Sequence, residues 1–279
     1  MITVQLTNGF GNNLFQYIAA KLLAEHHGQE VGALLPSHDY YALGDLKKMG
    51  VNIVSECLPS VIPINEFNYM AAHQERYKNN DFHLTGYFED HTFFKDNIDL
   101  IKQWHPLNED KRPSTDLVVH FRAGDRLFYK NEFDYKPSVT SYLEAIKQFE
   151  FENLYIVTDM PKWEYITTKD LNQMKFHVDV PSQDKVPIEK SVDYFNSFVD
   201  AFNGFKPIIN NKKNRSVYDD FNFIRTFDNI LFQHGTLGWW AAILSDASKV
   251  GVYGPWRPWK GKNNKNLSKI DLPGWFQWS

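Results

Sequence analysis

Ile2-Thr3-Val4-Gln5-Leu6-Thr7-Asn8-Gly9-Phe10-Gly11-Asn12-Asn13-Leu14-Phe15-Gln16-Tyr17 stands near the start of the chain, and its reading decides the fold class. Residues 2–7 alternate apolar with polar side chains, the period of a strand. Residues 8–13 form a Gly/Asn loop, and residues 14–27 read as an amphipathic helix that ends near Gly28. Strand, glycine loop and helix in that order begin an α/β unit built on a parallel sheet. Working outward, Val31–Leu35 and Val51–Val54 read as further strands, with a helix over Leu43–Met49 between them. Alternation of this kind predicts a parallel sheet covered on both faces.

Between residues 106 and 115 (PLNEDKRPST) the apolar periodicity stops, and Pro106 and Pro113 bracket a charged run with the character of a linker. The pattern then restarts. Strands are predicted at Leu117–Phe121, Leu154–Thr158, Met174–Val178 and Val250–Tyr253, and helices at Ser138–Phe149, Val192–Phe202 and Leu237–Ser245. This reading gives two α/β units, residues 1–112 and 113–255, facing each other across a cleft, with a Trp-rich tail over 256–279 packing back on them. No period of 20 to 50 residues repeats, which argues against a solenoid.

Bulk properties narrow the function. Hydrophobic residues at 43% and charged residues at 23% are those of a chain that folds throughout its 279 residues. A net charge of −4 without a basic block argues against nucleic acid as the main partner. The densest basic stretch, Asn210–Arg215 (NNKKNR), is short and reads as a solvated loop. A lone Cys57 excludes an internal disulfide and a cysteine-built zinc site. The amino terminus lacks signal-peptide form, and no run of about 18 apolar residues exists, so the expectation is a soluble, cytoplasmic protein with no membrane span. Six tryptophans, Trp239, Trp240, Trp256, Trp259, Trp275 and Trp278, lie late in the chain. They serve as packing groups or as platforms that stack on sugar or base rings.

Three segments can carry chemistry. In the Asn8–Asn13 loop, two glycines let backbone approach a ligand while the following helix offers N–H groups to a phosphate or sugar oxygen; a tight turn would use the same residues. A dinucleotide fingerprint wants a third small residue where Leu14 stands, which lowers an oxidoreductase reading. Val118-Val119-His120-Phe121-Arg122-Ala123-Gly124-Asp125 is a buried-type strand ending in polar residues and glycine, and a strand end is where a doubly wound sheet binds ligands. Arg122 there can grip a pyrophosphate or close a turn salt bridge with Asp125. His120 is a base or a hydrogen-bonded core histidine. In Leu231–Ala242, Gly235 gives a loop room to approach an anion, Thr236 reads as the N-cap of the next helix, and Trp239 and Trp240 read as wall and core.

Together these segments resemble the fucosyltransferase group that includes the α-1,2-fucosyltransferases, from end to end of the chain. The opening Gly-x-Gly-Asn-x-Leu-Phe-Gln-Tyr pattern is met by Gly9, Gly11, Asn12, Leu14, Phe15, Gln16 and Tyr17. Gly86-Tyr87-Phe88 meets a Gly-Tyr-aromatic segment, and His120, Arg122, Gly124 and Asp125 meet a His-x-Arg-x-Gly-Asp signature. Thr158-Asp159 ends a strand as the family does, and Thr236, Trp239, Trp240, Ala241 and Ala242 meet a late Ser-Thr-Phe-Ser-Trp-Trp-Ala-Ala pattern.

The resemblance implies the GT-B architecture, two Rossmann-like domains with parallel sheets. It implies an amino-terminal domain on the acceptor side and a carboxyl-terminal domain holding a nucleotide-sugar donor. It also implies inverting transfer to a glycan hydroxyl, with no cofactor and no metal required. No Asp-x-Asp triplet, the metal-holding motif of the GT-A fold, occurs in the chain. Donor contacts are expected from Gly9, Gly11, Asn12, Asn13, His120, Arg122, Asp125, Thr158, Asp159, His234, Gly235 and Thr236. The resemblance assigns Arg122 to stabilising the leaving diphosphate, and Asp90, Glu89, Asp39 and His38 are candidates for the general base.

The departures from the family concern the donor. Ala123 replaces a second arginine, Gly235 and Gly238 replace serines, Glu89-Asp90 replaces Gln-Ser, and Met160 replaces a second acid after Asp159. Guanine is best fixed by carboxylates, and fewer acids at that spot argue against a GDP donor, so GDP-fucose is the default that the resemblance alone implies. The chain also resembles stand-alone virus-encoded glycosyltransferases, which keeps UDP-xylose open. A non-catalytic carbohydrate-binding protein is the reading from another class.

Overall fold

A computed structural model describes residues 1–130, 136–174, 185–211, 215–254 and 272–279. The chain divides into two compact units, Met1–Pro106 and Leu107–Ser279.

The first unit runs β1 (Ile2–Gln5), α1 (Phe10–His27), β2 (Val31–Leu34), α2 (Leu43–Lys48), β3 (Ile53–Val54), β4 (Ile62–Ile64), α3 (Tyr69–Ala72), β5 (Phe82–Leu84) and α4 (Ile98–Trp104). Its sheet has the order β3-β2-β1-β5-β4, and every pairing is parallel. Ile2, Thr3 and Val4 are all buried, as expected of a central parallel strand covered on both faces.

Helix α1 starts at Phe10 on an N-cap Gly9, four residues before the sequence placed it. The polar groups of its first turns satisfy the loop from within. Gln16 accepts from the Thr7 amide at 3.0 Å and donates to the Gly86 carbonyl at 2.7 Å, and Asn13 Nδ2 donates to the Thr7 carbonyl at 2.8 Å. The helix is also buried nearly all round instead of amphipathic. The Tyr69 hydroxyl donates to the Ala19 carbonyl, Phe94 packs edge-on to Phe15, and Lys21 lies over the Trp104 ring, so later elements cover the side away from the sheet. Gly28 ends it in the left-handed conformation at φ 64°.

The second unit runs β6 (Asp116–Phe121), α5 (Val139–Ile146), β7 (Asn153–Thr158), α6 (Thr168–Gln173), α7 (Ile188–Asn203), β8 (Ile208–Asn211), α8 (Val217–Arg225), β9 (Asn229–Phe232), α9 (Thr236–Ile243), β10 (Lys249–Tyr253) and β11 (Trp275–Trp278). The parallel order is β11-β10-β9-β6-β7-β8. Strand alternation on β6 sends Leu117, Val119 and Phe121 into a core with α5 and α7, where Phe121 stacks on Phe198 at 3.8 Å. The other face is covered by α8 and α9, with Tyr155 edge-on to Phe227 at 5.0 Å and Gly238 against His120.

Several expectations change here. Trp275–Trp278 is a strand of the sheet, not a tail laid over it, because it pairs with β10 over four registered positions. Trp256 and Trp259 lie outside the described residues, as do residues 175–178 of the strand expected at Met174–Val178; Met174 itself caps α6. Asn210 and Asn211 belong to β8, and Arg215 pairs with Asp220 at 3.2 Å over the Phe223 ring, so the described part of the expected basic loop is structured.

In both sheets the strand order reverses beside the unit's first strand. β1 lies between β2 and β5, and β6 lies between β7 and β9. Such a reversal opens a ligand crevice at the carboxyl ends of the strands concerned.

Candidate functional site

At the reversal in the second unit, β6 ends at Phe121 and delivers Arg122, Ala123, Gly124 and Asp125 to the strand ends. β7 ends there at Thr158 and delivers Asp159. Asp159 organises this corner. Its Oδ1 accepts from the Ala123 and Gly124 amides, each at 2.9 Å, and its Oδ2 faces Arg122 Nε at 3.3 Å. Gly124 is required here. Its φ of 22° is unfavourable for a side chain, and a Cβ on it would come within 2.2 Å of Asp159 Oδ2. Thr158 is buried, and its hydroxyl accepts from the Met160 amide at 3.2 Å, so it shapes the turn.

The turn pair expected of Arg122 forms, with Nη2 donating to Asp125 Oδ1 at 3.0 Å. The guanidinium is thus aimed by two carboxylates while its side chain stays 41% exposed. Burial alone would raise the Asp125 carboxyl, but the charges of Arg122 and Arg126 outweigh it and hold it below its ordinary value.

His120 lies behind this corner, 5% exposed, with no hydrogen-bond partner for Nδ1 among the described residues. Burial, partly opposed by Asp159 and assisted by Arg122, pulls its pKa down to about 4, so the ring is neutral at pH 7. A neutral buried imidazole against α9 is a packing group with one unspent polar atom. Gly238 leaves room for it, since a Cβ there would sit 2.8 Å from Nδ1.

The end of β9 supplies the other wall. Gln233, a residue the sequence reading passed over, is 1% exposed, donates to the Arg122 carbonyl and accepts from the Tyr142 hydroxyl. It ties the two loops on either side of the reversal. His234 is buried edge-on to Tyr253 at 4.9 Å. Gly235, not Thr236, is the N-cap of α9, and Thr236 is its first helical residue. With glycine as cap no side chain covers the helix start from that position, which leaves its N–H groups to other acceptors. Trp239 and Trp240 are buried core, and Trp278 packs on Tyr142 and Tyr253. None of these three is a stacking platform.

The reversal in the first unit is chemically different. Asn8 adopts φ 61° and donates from Nδ2 to the Tyr87 hydroxyl at 2.7 Å. Asn12 Nδ2 donates to Glu89 Oε1 at 2.7 Å. Gly11 is buried, and Asn13 is consumed internally, since its Oδ1 accepts from the Tyr40 hydroxyl at 3.0 Å. Glu66, also missed from sequence, holds the Gly86–Phe88 turn by accepting from the Tyr87 amide at 2.6 Å and the Phe88 amide at 3.2 Å. Asp90 is 6% exposed and caps its own turn, accepting from the Thr92 amide at 3.0 Å and hydroxyl at 2.8 Å. His38 and Asp39 are exposed beyond β2. Glu89 is the carboxylate held beside the α1 start.

A cavity of about 370 Å³ lined by Tyr17, Lys21, Glu25 and Asn52 lies toward the opposite end of β2. It brings together none of the expected site residues. Among the described residues no helix is long and apolar enough to cross a membrane.

No protein-family model and no curated protein matches the sequence. Among solved structures, similarity is found to the bacterial iron-containing dodecameric glycosyltransferase TibC of enterotoxigenic E. coli H10407. The identity is 10% and the TM-score 0.42, over 99% of this chain and 61% of that one. The chain therefore spans about three fifths of that protein's length, and a likeness this low settles neither the fold family nor the activity.

Proposed function

We propose that this protein is a glycosyltransferase of the GT-B kind, moving a sugar from a nucleoside-diphosphate donor to a glycan hydroxyl with inversion and without a metal. The observation that carries the reading is the second unit's strand reversal, where an exposed arginine fork oriented by two carboxylates stands with a glycine-capped helix start. In the transfer, the acceptor oxygen attacks the anomeric carbon as the bond to the diphosphate breaks. Negative charge grows on the leaving oxygens, and donors already aimed there lower the barrier. Arg122 and the first N–H groups of α9 take that role. Glu89 is the better candidate to accept the acceptor proton, because Asp90 is buried in its own turn.

GDP-fucose is the donor that the family resemblance favours. A UDP-sugar such as UDP-xylose is the second reading, and two observations favour it. Met160, standing where a second acid would hold guanine, is fully buried in the core, and Asp159 is engaged by two amides and Arg122. A thermal-shift panel of GDP, UDP, ADP and their sugar conjugates tests both. A ligand at about 100 times its Kd adds roughly 2.7 kcal/mol of stability. A response to GDP alone supports fucose, a response to UDP alone refutes it, and no response to any diphosphate refutes the transferase. Turnover that persists in EDTA supports the metal-independent mechanism, and its loss refutes that part.

A further inference from the structure

We infer that the cavity beside the start of β2 is a second ligand site, for a small zwitterion that carries a carboxylate and an ammonium group, as an α-amino acid does. This site shares no residue with the proposed transferase site.

The cavity gathers polar groups that the fold leaves unspent. Tyr17 and Lys21 stand one turn apart on α1, Glu25 follows one turn later, and Gln29 and Glu30 lead from the helix end into β2. The Tyr17 hydroxyl is buried and accepts from the Asn52 amide at 3.5 Å, and no group among the described residues takes its proton. Burial pushes this hydroxyl above its ordinary value, against the Asn52 amide, so it is a donor at neutral pH. Lys21 holds its ammonium 4.4 Å from the centre of the Trp104 ring, and burial pulls it below its ordinary value while Glu25 opposes that shift. Among the described residues, neither Lys21, Glu25 nor Glu30 takes part in an ion pair. Gln29 spends its Nε2 on the carbonyls of Lys78 and Asn80, at 3.4 and 2.9 Å, and its Oε1 is buried without a partner among the described residues. Elsewhere on the same helix Asn13, Gln16 and His27 are all bonded within the unit.

The order of these groups along the chain sets the ligand class. Donors come first, at Tyr17 and Lys21, and acceptors follow at Glu25, Gln29 and Glu30. A lone carboxylate bound to Lys21 would face the charge of Glu25, and a lone cation bound to Glu25 and Glu30 would face that of Lys21. A ligand with both charges satisfies both ends. Lys21 and Glu25 are about 6 Å apart along the helix axis, the scale of a small zwitterion. The volume of about 370 Å³ suits a small molecule.

Isothermal titration of the full chain tests this, using glycine, γ-aminobutyrate and ε-aminocaproate, with acetate and methylammonium as single-charge probes. At least one zwitterion should bind, about tenfold or more tighter than either single-charge probe. Lys21→Met keeps a long stem over Trp104 and should weaken that binding about tenfold, as should Glu30→Gln. Unchanged melting temperatures in the two variants separate loss of a ligand contact from loss of fold. The inference is overturned if no zwitterion binds, if acetate or methylammonium binds as tightly as the best zwitterion, or if both variants bind it normally. Nucleotide binding should be untouched in Lys21→Met, so a wild-type chain that binds a zwitterion and no diphosphate would refute the transferase and leave this site standing.

Discussion

The two strand reversals share a topology and differ in charge logic. In the second unit a guanidinium sits between Asp125 and Asp159, and a glycine-capped helix follows the neighbouring strand β9. In the first, amides, phenols and a carboxylate surround a glycine-capped helix whose flanking segments contain no lysine or arginine. The helix start contributes the same partial positive charge in both places, so the two sites differ in the side chains that the strand ends bring to it. A glycine loop before a helix is thus only half of a phosphate site.

The sharpest way to break this comparison is Arg122→Ala. Turnover should fall roughly a hundredfold or more, about 3 kcal/mol of transition-state stabilisation, and near-normal kcat/KM would remove the distinction between the two sites.

The buried His120 offers a second handle, through pH. Its pKa in the folded chain, about 4, lies below the ordinary 6.5. The unfolded chain therefore binds the proton first, and stability present above pH 6.5 is lost as pH falls towards 4. At pH 5 the loss should be about 2 kcal/mol. Denaturant melts at pH 7 and pH 5 should show that loss in the wild type and not in His120→Gln.

Glycine substitutions sharpen the contrast in packing. Gly238→Ala forces a Cβ to 2.8 Å from His120 Nδ1 and 3.0 Å from Phe232, and should cost about 1–3 kcal/mol. Gly9→Ala meets, among the described residues, only the Tyr41 hydroxyl at 3.6 Å and should cost about 1 kcal/mol or less, from the weaker alanine N-cap. Equal melting temperatures for the two variants would contradict the geometry.

A further effect, smaller than that of Arg122→Ala, concerns Asp159, a positioning residue. Asp159→Asn keeps an oxygen for the Ala123 and Gly124 amides and loses the charge facing Arg122, so kcat/KM should drop about tenfold. In the double variant with Arg122→Ala the losses should not add, because Asp159 acts through that guanidinium. Additive losses would separate the two residues.

Much of the fold was legible because it is written in short-range patterns. The alternation over Ile2–Leu6, the positive-φ glycine at the end of α1, and the apolar strand leading to Arg122 each depend on residues a few positions apart. What escaped was written weakly. β4 and β5 are three residues each, with Pro63 in an edge strand, too short for a period to show. The α1 start was set too late because Gln16 and Asn13 supply a satisfaction that only the folded loop reveals. The late tryptophans could not be assigned from composition, since packing and stacking use the same ring.

The candidate site divides along the same line. Residue order alone determined that Arg122 would follow a strand, and that glycine loops would precede α1 and α9. Tertiary structure alone decided what those loops face. Ala123 meets Asp159 across 36 positions, Asn12 meets Glu89 across 77, and Gln233 meets the Arg122 carbonyl across 111. Local conformation follows from steric and periodic constraints on near neighbours, whereas the charge and hydrogen-bonding character of a site is the sum over groups that only the sheet order brings together.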